Sequence, residues 1–268
     1  IYFSMARDLE RADRVNDAAT AYAEFIKKFP GDEQVYEALW REAQLRKTRL
    51  RQLPQAEKLE NTLLFTAKER QKKGEKVPPV AADYASRIAY ERLEKDFEKY
   101  AKLKIERPNL RNPTNFTRSL DTKAKARDQM IKAYEEIVTG YQQAYSTIGS
   151  LYKIAQAWEN FVTTLLAVPC PTGLTEDQCM LVKQGLEEKA GPSRDSSKAA
   201  YKACVDKSSE LNVFTQYSTE CVKVLERLVP DAFPEMAERR LKYAPEERKV
   251  EVKSNSLILR YDAPGTGS

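Results

Sequence analysis

Histidine is absent from this 268-residue chain. Its absence removes the commonest general base and the commonest metal ligand. Glycine is sparse, at 9 residues, and Gly173 and Gly191 belong to no phosphate-cradling pattern. No apolar run approaches the roughly 20 residues of a membrane span. The longest, residues 161–168, contains two threonines and stops at Pro169. No secretory signal is visible. The chain opens at Ile1 already inside a helical pattern, as expected of a fragment.

The residues that are plentiful point one way. Ala, Glu, Lys, Leu and Arg dominate, a composition that favours helix. With 41% hydrophobic residues the chain is too apolar for disorder. Net charge is +5, from 45 basic and 40 acidic residues, too weak to imply nucleic acid. Residues 41–111 carry 19 basic against 11 acidic side chains. Solvated helix faces account for most of this excess. No nucleic-acid-binding motif accompanies it, so an acidic protein partner is the better functional reading.

Residues 2–30 fit a 34-residue TPR pattern of two helices. Tyr2, Met5, Ala6 and Leu9 stand at the packing positions of the first helix. Ala18, Tyr22, Phe25 and the terminal Pro30 stand at those of the second. Ala6 and Ala18 would let the helices approach, while Tyr22 and Phe25 would fill the groove to the next pair. Asn16-Asp17 is expected to cap the second helix. The next helix starts in phase with Tyr36 and Leu39 but carries Trp40 where a small residue belongs, so that repeat is degenerate. Its partner begins near Pro54 and presents Leu59, Leu63, Leu64 and Ala67.

Further helices are expected from residue 79 to about 105, 119 to about 139, 148–168, from Thr175, 193–211 and 214–228. The Pro- and Asn-rich segment 107–117 is a loop. Helix 148–168 is the most apolar and should be deeply buried. Thr175 with Gln178 reads as a capping box, and Gly191-Pro192 as a break. Residues 249–261 alternate with period two and read as a short hairpin or extended arm, followed by a disordered end. The expected layout is a helical array over residues 1–240, irregular after the first repeats, and an arm over 241–268.

Three segments resemble a known family. They are Ala81-Ala82-Asp83-Tyr84-Ala85-Ser86-Arg87-Ile88-Ala89, then Ile148-Gly149-Ser150-Leu151-Tyr152 with Val168-Pro169-Cys170-Pro171-Thr172-Gly173, and Leu225-Glu226-Arg227-Leu228 before Pro230-Asp231-Ala232-Phe233-Pro234. Over roughly residues 1–240 the chain is similar to the C-terminal part of large TPR proteins of deltaproteobacteria. Among these is a periplasmic component of the myxobacterial gliding-motility machinery. The resemblance implies an all-α TPR-like solenoid and a periplasmic assembly scaffold, with other envelope proteins as partners through peptide or helix segments. A TPR module for outer-membrane protein or polysaccharide assembly is the alternative. The cysteines are a departure that the resemblance does not explain.

Those cysteines, at 170, 179, 204 and 221, match no zinc spacing and have no histidine to help. No nearby base would activate a catalytic thiol. Four buried thiols and two disulfides are the readings, and geometry favours the disulfides Cys170–Cys179 and Cys204–Cys221. If helices 193–211 and 214–228 form a hairpin turning near Asn212, Cys204 and Cys221 face each other. Cys170 lies in the loop just before the helix whose first turn holds Cys179. Carboxylates spaced by two, such as Glu94, Asp96 and Glu98, diverge on a helix and make no acid/base pair. Tyr134, Tyr141, Tyr145 and Tyr152 form a stripe that reads first as core and second as a peptide groove. No catalytic residue, cofactor site or metal site is expected.

Overall fold

The computed structural model describes residues 1–109 and 111–233, and all regular structure among them is helical. In chain order these are α1 (Tyr2–Arg11), α2 (Val15–Lys28), α3 (Gln34–Gln44) running into a π-helical turn (Leu45–Arg49), α4 (Leu53–Lys72) and α5 (Pro79–Lys102). Then come α6 (Thr114–Tyr141), α7 (Ala144–Leu166), α8 (Glu176–Leu211) and α9 (Gln216–Leu228). Each helix packs on the next, as in an α-solenoid. The expected arm at 249–261 and the boundary at 240 lie outside the described residues.

The first pair is joined where the side chains are smallest. Ala6 and Ala18 are fully buried. Around them Phe3 packs on Tyr22 and Phe25, with ring centroids 5.9 and 5.4 Å apart. Tyr22 and Phe25 share a core with Val35, Ala38 and Leu39 of α3, so they do fill the groove to the next helix. Two first-helix positions differ from expectation. Tyr2 and Met5 are exposed, at 39% and 44%, and Phe3 takes the core place. Tyr2 instead rests on Phe29, which follows α2. Met5 lies on the side of α1 that α2 does not cover. Leu9 is half-buried, and Pro30 is exposed just past the end of α2. Asn16-Asp17 is no cap, since α2 starts one residue earlier at Val15. Asp17 sits in the first turn and accepts a hydrogen bond from Arg14 Nε at 2.7 Å.

The degeneracy of the second pair has a structural form. The π-helical turn prolongs α3, and α4 begins at Leu53, four residues later than a strict 34-residue repeat from Val15 would place it. Trp40 cannot sit in a tight interhelical contact, so its ring turns onto Tyr84 of α5.

Three later boundaries also move. α6 starts at Thr114, five residues before the expected Ser119, because Asn112 Oδ1 accepts from Thr114 N–H at 3.1 Å and ties down the helix start. Gly140 neither breaks nor kinks α6, which ends one residue on where Gln142 turns left-handed. Gly191-Pro192 does not break α8, which runs unbroken through Pro192 for 36 residues. Two expected helices are therefore one. A proline inside a helix costs about 3 kcal/mol, and packing on α7 outweighs it. Ala190, Ser193 and Ser197 are small and buried there, and Ser197 Oγ donates to the Ala155 carbonyl at 3.2 Å. α7 is as buried as expected, with Ile148, Ala155, Ala157 and Leu165 fully enclosed. The Thr175–Gln178 capping box is present.

Contacts between alternate helices distinguish two layers. α3 touches α5, α5 touches α7 and α7 touches α9, whereas consecutive even helices make no comparable contact among the described residues. The odd helices from α3 to α9 thus touch one another directly; the odd-helix side is termed the inner face and the even-helix side the outer.

Candidate functional site

A strip of aromatic and guanidinium groups crosses the inner face. The Trp40 ring on α3 stacks on Tyr84 of α5 at 4.7 Å and 15°. One turn along α5, the Arg87 guanidinium lies over the Tyr145 ring of α7 at 5.6 Å and pairs with Asp83 at 3.0 Å. Tyr145 in turn meets Tyr217 of α9 edge-on at 5.6 Å. Residues 84 and 87 share a face of α5 because they are three apart. Tyr145 keeps 39% of its surface exposed and Arg87 is 42% exposed. Beneath the strip, Trp40 Nε1 and Arg87 Nε have no hydrogen-bond acceptor among the described residues.

Tyr217 is the hub. Its ring packs on Tyr90, Tyr145 and Tyr152 at 5.6 to 5.8 Å. The hub forms because Gly149 of α7 has no side chain. A Cβ there would stand 3.0 Å from Tyr217 and 3.1 Å from Tyr90. Of the tyrosine stripe, Tyr134 and Tyr141 are core, Tyr152 is half-buried and Tyr145 reaches the surface. The core reading suits three of the four, and the groove reading suits Tyr145.

Between α4 and α5 lies a cleft of about 660 Å³, lined by Glu57, Glu60, Glu91, Glu94 and Glu98 with Lys47, Arg92 and Lys95. Buried Glu60 accepts from Lys47 at 3.1 Å and Arg92 at 3.0 Å. The basic excess of residues 41–111 is therefore not gathered in this cleft, and the expectation of an acidic partner gains nothing here. Asp96 points away and pairs with Lys99, while Glu94 pairs with Lys153. The carboxylates spaced by two diverge.

Sequence reasoning missed one buried cation. Lys123 of α6 is fully buried. Its ammonium donates to the carbonyls of Tyr100 and Leu103 at 3.0 and 2.9 Å and to Asn160 Oδ1 at 2.6 Å, and it lies 4.4 Å from the Tyr100 ring centroid. It holds carbonyls at the end of α5, where the helix dipole favours a cation. Burial pushes its pKa down to about 8. The neighbouring Arg127 stacks on Trp158 and Phe161 at 4.1 and 4.4 Å. The signal was the stripe Phe116, Leu120, Lys123, Arg127, in which two cations stand at core spacing.

The structure brings the four cysteines together in two pairs at disulfide distance, Cys170 with Cys179 and Cys204 with Cys221. Their Cα atoms are 5.8 and 6.5 Å apart, within the range a disulfide spans. The chain turns between α8 and α9 at left-handed Asn212, so Cys204 and Cys221 meet across the helix pair and are fully buried. Cys170 and Cys179 close the α7–α8 loop and stay partly exposed.

No family model matches the chain, and comparison with curated proteins and with solved structures returned no match either.

Proposed function

We propose that this chain is a non-catalytic scaffold of the bacterial cell envelope that holds segments of other proteins on its inner, odd-helix face. The strip Trp40–Tyr84–Arg87–Tyr145–Tyr217 carries the proposal. Tyr, Trp and Arg are the side chains most enriched where proteins bind one another, because each offers large area with a polar handle. The strip crosses four helices, so an extended or helical segment laid along it touches all of them.

The periplasm is the proposed compartment. Two local cysteine pairs at bonding distance suit an oxidising environment, where disulfides persist. The resemblance to TPR proteins of the gliding-motility machinery supports the same place and suggests a role in assembling that kind of machine.

Photo-crosslinking tests this. A benzophenone amino acid replaces Tyr145 on the inner face or Phe65, which is 66% exposed on α4 of the outer layer. The expected result is a discrete envelope-protein adduct from position 145, absent at 65 and lost with Arg87→Ala. Adducts of equal yield at both positions, or none, would sink the proposal. The adduct's identity separates a motility partner from an outer-membrane assembly partner.

A further inference from the structure

The α5–α6 connection carries positive charge that the inner-face strip does not use. Lys102, Lys104, Arg107, Arg111, Arg118 and Lys125 are all exposed there. The cations that flank them in sequence are engaged, Lys99 with Asp96 and Arg127 with Asp128. Lys123, which falls among them, is buried on the carbonyls at the end of α5. None of the six exposed cations makes an ion pair among the described residues. The start of α6 lies among them, its first turn holds no carboxylate, and its dipole adds to their field. Two shallow hollows of about 450 and 440 Å³ flank Arg118, the first reaching Lys125 and the second Lys104. Asp121 lines the first and Glu106 the second, too few carboxylates to neutralise six cations.

The hydroxyls between these cations narrow the partner. Thr117 and Thr122 also line the hollows. Each gives its proton to a carbonyl four residues back, Pro113 at 3.3 Å and Arg118 at 2.8 Å. Each hydroxyl therefore faces outward as an acceptor, and the surface sets cations and acceptors side by side. Phosphate groups bring acceptors only. A polypeptide with acidic side chains brings carboxylates for the cations and backbone N–H groups for the threonines. An extended segment leaves those N–H groups free, whereas a helix keeps most for itself. Leu103, Ile105, Phe116 and Leu120 are buried or half-buried. The described residues thus offer neither a wedge for a bilayer nor a ring on which a base would stack. We propose that the α5–α6 end docks an extended, Asp/Glu-rich segment of a partner protein. This surface lies at the helix ends, apart from the inner-face strip, and its test is independent of that reading.

The probe is a capped, fluorescent oligoglutamate peptide, titrated into the full chain and followed by anisotropy. The expectation is saturable binding that added salt weakens. Arg118→Glu with Lys125→Glu should weaken it at least about tenfold, because like charges then face each other. Both residues are exposed, so the circular dichroism and the melting curve should stay as in wild type. Lys58→Glu with Lys68→Glu, at exposed positions of α4, changes net charge by the same amount. That variant should keep the wild-type affinity within about twofold if the site is local. Equal weakening by the two reversals would mean that net charge alone attracts the peptide, and would overturn the proposal. Absence of saturable binding would overturn it as well. Oligodeoxythymidylate and phosphatidylglycerol vesicles are the comparison ligands. Weaker binding of both than of the peptide supports the proposal, and tighter binding of either assigns the surface to nucleic acid or membrane and overturns it.

Discussion

The hairpins α1–α2 and α8–α9 are both antiparallel helix pairs, yet they are held by different means. In α1–α2 two alanines set the spacing and three aromatic rings fill it, with Tyr22 O–H donating to Glu10 at 2.7 Å. In α8–α9 the buried core residues include Tyr201 and Leu225, and the pair Cys204–Cys221 joins them. An aromatic core works in any compartment, but a cysteine pair contributes a bond only where thiols oxidise. The contrast therefore carries information about where the molecule works, which its helical architecture does not.

The first way to break the comparison is to empty the aromatic core. Tyr22→Ala or Phe25→Ala should each cost about 3–5 kcal/mol in denaturant unfolding, the range for a lost core aromatic. A loss under about 1 kcal/mol would mean that the first pair does not depend on its rings. Next comes the cross-link. Replacing Cys204 and Cys221 together by serine should cost about 3 kcal/mol relative to oxidised protein, on the chain-entropy estimate. It should cost little relative to reduced protein, and equal losses in both states would show that packing, not a bond, joins α8 to α9. The partly exposed pair Cys170–Cys179 closes a shorter loop and should contribute less.

Gly149→Ala sharpens the comparison in the tyrosine hub that joins α9 to α5 and α7. The added Cβ would press on the rings of Tyr217 and Tyr90, so overpacking should cost about 1–3 kcal/mol. Tyr217→Leu should relieve part of that cost. Additive losses in the double mutant would remove Gly149 from the hub.

The smallest effect is a pH dependence that the two regions share. Lys123 titrates near 8 in the fold against 10.5 when free. Between those values the unfolded chain binds more protons, so its contribution to stability rises with pH across that window. Buried Tyr22, Tyr90, Tyr100, Tyr134 and Tyr201 are all pushed above the free-tyrosine value of 10.0, chiefly by burial. Their contribution is full below 10 and is lost as pH climbs beyond it. Urea melts should show stability rising gently from pH 8 toward 10 and falling steeply above. In Lys123→Met the rise should vanish while the alkaline fall remains.

Much of this was legible in the sequence because the signals were local. The capping box at Thr175 needs only four residues, and the Cys204–Cys221 pair follows from a hairpin turning at Asn212. Pro192 misled because its cost is local while its remedy is not. The small residues that bind α8 to α7 are unremarkable until the two helices are set side by side. Lys123 escaped for a related reason, since the carbonyls it holds belong to a helix end some twenty residues upstream. Met5 was assigned to the core by its place in the repeat pattern, but Phe3 is the residue that α1 turns onto α2.

The central claim is a helical scaffold built for an oxidising compartment, and the most direct measurement is of its thiols. The protein is purified from its native envelope under alkylating conditions, unfolded, titrated for free thiol and mapped by peptide mass. The account predicts no free thiol and two cross-linked peptides, joining Cys170 to Cys179 and Cys204 to Cys221. Four free thiols would contradict the compartment, and peptides joining 170 to 204 or 179 to 221 would contradict the helix pairing.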